Sequence, residues 1–303
     1  MNWRELWRRA PAPAAPALTP SEIYTGHAPW LAFQRERHDL AVERHLELAR
    51  MQARSKSTFQ AWCSGCQAPR DFPVEWRGRG AIADFRELLA CPSCRLNGRQ
   101  RAALGLLRDR VPDEGAAIYA TEQASSAYLW LRSKYRGARG SEYGLGDEEA
   151  ARINRWLARQ GVRESLELQD VTALTFADAS LDAIVSFDVL EHVPKFGAAL
   201  REFVRCLRPG GWLFATAPFI ALNTYTEVRA RMHADGTIEH LLPPEMHGDP
   251  LSDGVLCYYH FGWDLLDRCR DAGFADAAWH FSWDPAQALF GMWTLVARKG
   301  GTA

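Results

Sequence analysis

Residues 181–219 read LDAIVSFDVLEHVPKFGAALREFVRCLRPGGWLFATAPF, and this stretch decides the fold. Leu181 to Ser186 is a short apolar run with β-branched residues at its centre, the pattern of a strand buried on both faces of a parallel sheet. Asp188, Glu191 and His192 follow where that strand should end, and Pro194 closes the loop. From Phe196 to Leu207, the apolar residues Phe196, Ala199, Leu200, Phe203, Val204 and Leu207 recur at helical spacing. Pro209-Gly210-Gly211 is expected to stop this helix, and Trp212 to Ala217 to form the next strand. A strand–helix–strand unit of this length favours a right-handed parallel crossover. Polar residues beyond a strand's carboxyl end sit where open α/β sheets bind ligands.

The run DAIVSFDVLEHVP followed by LRPGGWLFATAPF resembles the class I S-adenosylmethionine-dependent methyltransferases, closest to the branch with an EHV signature after the fourth strand. The resemblance covers roughly Ala116 to Lys299. It implies an α/β Rossmann-like sheet of seven strands with the last antiparallel, and a donor site at the carboxyl ends of the first half. It leaves the acceptor open.

At 303 residues, one large α/β domain with a smaller module is expected. Hydrophobic content of 47% and charged content of 24% fit a globular chain rather than a disordered one. No apolar run approaches the roughly 20 residues that span a bilayer, and MNWRELWRRA lacks a signal-peptide core. A cytoplasmic protein is therefore expected. The net charge is −1, yet residues 1–110 hold 18 Lys+Arg against 11 Asp+Glu, and residues 111–303 hold 18 against 26. A solvated basic helix surface accounts for this as readily as an anionic partner.

Three segments are expected: a helical arm and linker over 1–58, a zinc ribbon over 59–98 and the methyltransferase domain over 99–303. Met1 to Ala10 has the pattern of a short amphipathic helix, Pro11 to Pro20 of a linker, and Trp30 to Ser55 of a charged helix. Four of the seven cysteines form Cys63-x2-Cys66 and Cys91-x2-Cys94, with 24 residues between the pairs. Each pair can turn its chain tightly enough for two thiolates to reach one tetrahedral ion at about 2.3 Å. Four sulfur ligands leave no open position, so the zinc would be structural, supplying on the order of 10 kcal/mol to a segment poor in core formers.

The first strand and its turn are expected at Gly115–Glu122, followed by Gln123-Ala124-Ser125-Ser126 where most of the family has a glycine-rich loop. A subset of the family with a zinc ribbon and a TEQ-like loop is similar to this arrangement. The resemblance implies that Glu142, after the second strand, meets the donor's ribose hydroxyls. Asp170, after a third strand at Ser165–Leu168, would meet adenine, or else caps a turn. Glu122 is either the partner of the donor's α-ammonium or a solvated turn residue. Ala124, Val171, Phe187 and Asp188 complete the implied donor set, and His192 is the candidate general base. An alternative for His192 is a structural role in which Glu191 orients it.

Between Asn223 and Asp253 regularity lapses, and this insertion is expected to shape the acceptor pocket. His233, His240 and His247 lie there with carboxylates, but their spacing matches no metal-ligand motif. His247-Gly-Asp-Pro is expected to build a tight turn, with His247 a site candidate. Asp264 to Ala272 reads as a helix ended by Gly273, and Asp276–Trp283 and Met292–Arg298 as the last two strands. The leading expectation is methyl transfer from S-adenosylmethionine to a small-molecule acceptor. A non-enzymatic scaffold with a degenerate domain and a nucleic-acid methyltransferase are the alternatives.

Overall fold

The computed structural model describes residues 19–54, 57–75, 85, 88–248 and 254–301. The helix expected at Met1–Ala10, and the linker up to residue 18, lie outside the described residues. The chain opens with strand β1 (Glu22–Tyr24), helices α1 (His27–Glu36) and α2 (His38–Arg54), and the hairpin β2 (Thr58–Cys63) and β3 (Ala68–Pro73). Helix α3 (Gly98–Arg110) leads into β4 (Ile118–Ala120), α4 (Ser126–Lys134), β5 (Arg139–Gly140) and α5 (Asp147–Arg159). The deciding stretch folds as β6 (Leu181–Phe187), a 3₁₀ turn (Leu190–His192), α6 (Phe196–Cys206) and β7 (Leu207–Thr216). Short strands fill the irregular region: β8 (Glu227–Val228), β9 (Ala230–Met232), β10 (Ile238–His240), β11 (Met246–His247), β12 (Val255–Leu256) and β13 (Tyr259–His260). Helix α7 (Leu265–Ala272) and strands β14 (Phe274–Asp284) and β15 (Leu289–Lys299) complete the order.

Among the described residues the main sheet has seven strands in the order β1-β14-β15-β7-β6-β4-β5. Strands β5, β4, β6 and β7 run parallel, and β15 is antiparallel to both β7 and β14, as expected for the last strand. The set of seven is nevertheless not the expected one. Ser165–Leu168 makes no strand, only a single parallel bridge from Leu168 to Glu142. The seventh place is taken at the opposite edge by β1, which pairs antiparallel with β14. Burial explains the exchange: Leu168 is 53% exposed, whereas Tyr24 of β1 is 5% exposed and packs edge-on against Phe33 and Trp263.

Alternation along the strands builds two cores. Ile118, Ala120, Ala183, Val185 and Phe187 face one layer with Leu104 and Leu107 of α3, Leu131 of α4 and Leu157 of α5. Tyr119 and Ile184 face the other, with Leu200 and Phe203 of α6 and Leu265, Leu266 and Cys269 of α7. β6 is therefore buried on both faces, as its sequence requires. Helix α7 ends at Gly273, whose φ of 113° is the left-handed C-cap that glycine adopts without steric cost. Pro209-Gly210-Gly211 does not separate α6 from the next strand. β7 starts at Leu207, which pairs with Leu181, and the ladder resumes at Trp212 opposite Ala183, so residues 208–211 form an irregularity inside the strand. No helix among the described residues is long and apolar enough to cross a membrane.

Gly140, at the end of β5, governs the turn after β4. A Cβ there would lie 2.7 Å from the Glu122 carbonyl oxygen and 2.7 Å from the Tyr128 ring. The glycine that lets the chain approach closely thus stands on the neighbouring strand rather than in the turn. Gly140→Ala is expected to destabilise the fold by about 1–3 kcal/mol in urea titrations. Gly197→Ala in α6, where the nearest atom is 3.8 Å away, is expected to be neutral or stabilising.

Candidate functional site

The turn after β4 is made without glycine because neighbouring side chains hold its backbone. Oε1 of Glu142 accepts from the amides of Gln123 and Ala124 at 2.7 and 2.6 Å. Gln123, 1% exposed, donates to the Ser165 carbonyl at 3.3 Å and accepts from the Glu167 amide at 2.8 Å. Ser125 caps α4 by accepting from the Tyr128 amide at 3.1 Å. Thr121 reaches across to Ser186 of β6 at 3.1 Å. The residues after β4, β5 and β6 are in this way fixed to one another at the carboxyl edge of the parallel strands.

Glu122 stands in this frame with Oε1 buried and without a hydrogen-bond partner. Burial pushes its carboxyl up to about 7, and the nearby Glu142 charge adds to the rise, while Ser125 and Arg99 oppose it. A buried carboxyl oxygen of this kind is satisfied by a proton or by a hydrogen-bond donor. Asp188, with a φ of 51°, accepts from Thr216 Oγ1 at 3.2 Å and pairs with Arg99 of α3. Sequence reasoning passed over Arg99, which lies in an ordinary helical run and declares its role only when α3 is laid beside the end of β6.

The other expected donor residues divide. Asp170 Oδ1 accepts from the amide and hydroxyl of Thr172 at 2.8 and 2.7 Å, closing a turn. The side chains of Val171 and Phe187 are buried in the two cores, and Ala124 packs on the edge of the second. His192 places Nδ1 2.8 Å from the Leu256 carbonyl and Nε2 3.8 Å from Glu191. His247 lies in β11, paired with β12, rather than in a turn, and Asp249-Pro250 fall outside the described residues. A depression of 360 Å³ lined in part by Pro194, Lys195, Tyr259 and Asp264 lies apart from these carboxylates.

The four paired cysteines converge. Their sulfurs all lie within 4.8 Å of one another, with Cys63–Cys94 and Cys66–Cys91 at 3.6 Å. These separations are far too long for disulfides and close to the ~3.8 Å between ligands on a tetrahedral ion with 2.3 Å bonds. Gln67 and Arg95, each directly after the second cysteine of a pair, share a left-handed backbone with φ of 52° and 64°. The two turns are therefore alike. Arg101, 0% exposed, donates from Nη1 to the Leu89 and Leu96 carbonyls and from Nη2 to Ala288. Burial pulls its pKa down, and the charge of the four sulfurs works against that fall. Trp130 Nε1 donates to the Gly65 carbonyl at 2.9 Å, docking the first turn on α4.

Residues 127–215 match a family described as a methyltransferase domain. The chain is 38% identical over 66 residues to the methyltransferase GfsG of Streptomyces halstedii, which is 22% of this chain and 23% of that protein. Among solved structures it is similar to an S-adenosylmethionine-dependent methyltransferase from Mesorhizobium loti, at 18% identity and a TM-score of 0.44, over 67% of this chain and 99% of that one. A second is the 1,6-didemethyltoxoflavin-N1-methyltransferase of Burkholderia thailandensis, at 18% identity and a TM-score of 0.40, over 67% and 78% of the two chains.

An acid whose pKa rises on folding holds its proton more tightly when folded, so its contribution to stability falls as pH climbs through that window. For Glu122 the window runs from the ordinary value of 4.5 to about 7. Urea titrations across it are expected to show wild-type stability declining relative to Glu122→Gln, with the difference constant above it. Parallel pH profiles for the two proteins would contradict this environment for Glu122.

Proposed function

We propose that the protein transfers a methyl group from S-adenosylmethionine to a small-molecule acceptor. The observation that carries this reading is the buried, unpartnered Oε1 of Glu122 at the carboxyl end of β4, inside a chain with a methyltransferase domain. The α-ammonium of the donor is the partner that this oxygen lacks. Glu142, whose Oε1 holds the Gln123 and Ala124 amides beside Glu122, is placed to receive the ribose hydroxyls. Asp170 lies on the adenine side. Val171 and Phe187 contribute main chain there, since their side chains belong to the cores. Asp188, held by Arg99, sets the end of β6.

S-adenosylmethionine bound there would supply a methyl group already activated by its sulfonium. Alignment with the acceptor then provides much of the catalysis, about 7–11 kcal/mol on effective-molarity grounds. The lone pair left on His192 Nε2 suits an acceptor proton or a cation.

Two findings weigh against the alternatives. The glycine-free turn, the main support for a scaffold, is held instead by Glu142 and accommodated by Gly140. Part of the positive charge of the N-terminal half, on which a nucleic acid would draw, is engaged internally. Arg44 pairs with Glu22, Arg99 with Asp188 and Arg108 with Asp109, and Arg101 is buried. The seven cysteines are all free, in keeping with a reducing compartment, and we place the protein in the cytoplasm.

We read the four paired thiols as a structural zinc site, supported by their separations and by the buried guanidinium beside them. Metal analysis and sulfur-ligand spectroscopy of protein purified without chelator are expected to find zinc bound by four sulfurs. Cys91→Ala should lose that ion and loosen the segment from 57 to 98. Zinc-free protein with the same stability would overturn the assignment.

The donor site is tested by calorimetry. Glu122→Gln keeps the size and removes the charge, so it should weaken S-adenosylmethionine and S-adenosylhomocysteine alike, by roughly ten- to a hundredfold for one charge-assisted hydrogen bond. Unchanged affinities would make Glu122 a turn residue, and no binding of either ligand by wild type would return the lead to the scaffold.

A further inference from the structure

The insertion after β7 folds back over the loop after β6 and brings together polar groups that are distant in sequence. Glu191 is 0% exposed, and neither of its carboxylate oxygens has a hydrogen-bond partner. Its own main chain is held, since the Glu191 carbonyl accepts from the Tyr258 amide at 2.8 Å. A buried carboxylate with nothing donating to it is costly and calls for a cation.

Two histidines face that carboxylate, and their other contacts fix which nitrogen each presents. His192 Nδ1 lies 2.8 Å from the Leu256 carbonyl, which can only accept, so Nδ1 carries the proton. Nε2 is then the lone-pair nitrogen, 3.8 Å from Glu191 Oε1. His247 Nε2 lies 3.0 Å from Glu245 Oε1, which fixes its proton there and leaves Nδ1 with a lone pair 3.7 Å from the same Glu191 oxygen. In neutral rings, three lone-pair atoms therefore converge with no donor between them. The gaps are too long for hydrogen bonds. They are near the ~3.3–3.6 Å expected between ligands that each sit about 2.0–2.2 Å from one ion. The ligand atoms of Glu191, His192 and His247 all lie within 4.8 Å of one another.

The surroundings are those of a metal-ligating set. Each histidine donates its second ring N–H to a carbonyl or a carboxylate, the arrangement that orients imidazole ligands. Glu245 is itself held by His260 at 3.0 Å and Arg229 at 3.1 Å. The β11–β12 hairpin supplies both His247 and the Leu256 carbonyl that orients His192, so one element organises the two ligands.

We infer that Glu191, His192 and His247 bind a divalent cation of the zinc class, at a site separate from the four thiols. Two imidazoles and one carboxylate suit a borderline ion such as zinc, cobalt(II) or iron(II). Three protein ligands leave a coordination position open to water or to an oxygen or nitrogen of the acceptor. His247 lies far from the adjacent Glu191 and His192, with 54 residues between His192 and His247, so no linear motif announces the set.

The test is metal stoichiometry of the full chain after equilibration with zinc or cobalt(II) and removal of the unbound ion. Wild type is expected to hold two ions, and Glu191→Gln, His192→Gln and His247→Gln one each, with the sulfur-to-cobalt absorption of the thiol site intact. Cys91→Ser should lose that absorption and keep the other ion. His247 lies on the outer hairpin, so its variant remains informative if Glu191→Gln fails to fold. Retention of both ions by His247→Gln would overturn the inference. So would a wild-type chain whose every bound ion disappears in Cys91→Ser, which would mean that a proton on His247 balances Glu191. The readout is metal content, so failure here leaves the donor site untouched.

Discussion

The guanidinium of Arg101 is the constraint on which the N-terminal half of the structure rests. It is fully buried, lies 4.4 Å from the centre of the Phe72 ring, and donates to carbonyls on both sides of the second cysteine pair and to Ala288 in the turn before β15. One side chain therefore joins the cysteine-bearing segment, α3 and the end of the β14–β15 hairpin. A cation in that position must be balanced. On the proposed zinc reading, four thiolates on a divalent ion would carry a net charge of minus two beside it. With α3 fixed in this way, Arg99, two residues earlier on the same helix, reaches Asp188 at the end of β6. In this account the four-sulfur site acts on the donor site through α3, without touching the donor.

The proposed donor site departs from a glycine-rich loop by dividing the glycine's work. Gly140 provides the space, and Glu142 provides the acceptor that holds the turned amides in place. Glu122 then faces inward with a bare oxygen. The first turn thus has a carboxylate in place of the open backbone approach that glycines permit, and on the proposed reading both solutions would meet the demand of a donor that carries a fixed positive charge.

Much of the fold was legible in the sequence, because the deciding stretch carries strong and separate signals. The apolar run of β6, the helical spacing of α6 and the glycine after α7 each correspond to an observed element. The seventh strand was not legible. Glu22-Ile23-Tyr24 is three residues long and joins the sheet only through the long-range packing of Tyr24, which no local window contains. The Pro-Gly-Gly sequence misled for a related reason: pairing of Leu207 with Leu181 draws the break into a strand. In the site, the paired cysteines announced themselves by spacing, and Glu122 by being the carboxylate of an unusual loop. Arg99, Arg101 and the Glu191 cluster did not. Their roles follow from which elements come to lie side by side, and charged residues in a helix or an irregular insertion look alike before that is known.

A crystal structure of the full chain with S-adenosylhomocysteine tests the central claim most directly. The ligand is expected at the carboxyl ends of β4 and β5, with its amino nitrogen within about 2.7–3.2 Å of a Glu122 carboxylate oxygen. A ligand whose amino group is held by main-chain carbonyls alone, or one seated in the depression beside Pro194 and Tyr259, would contradict it.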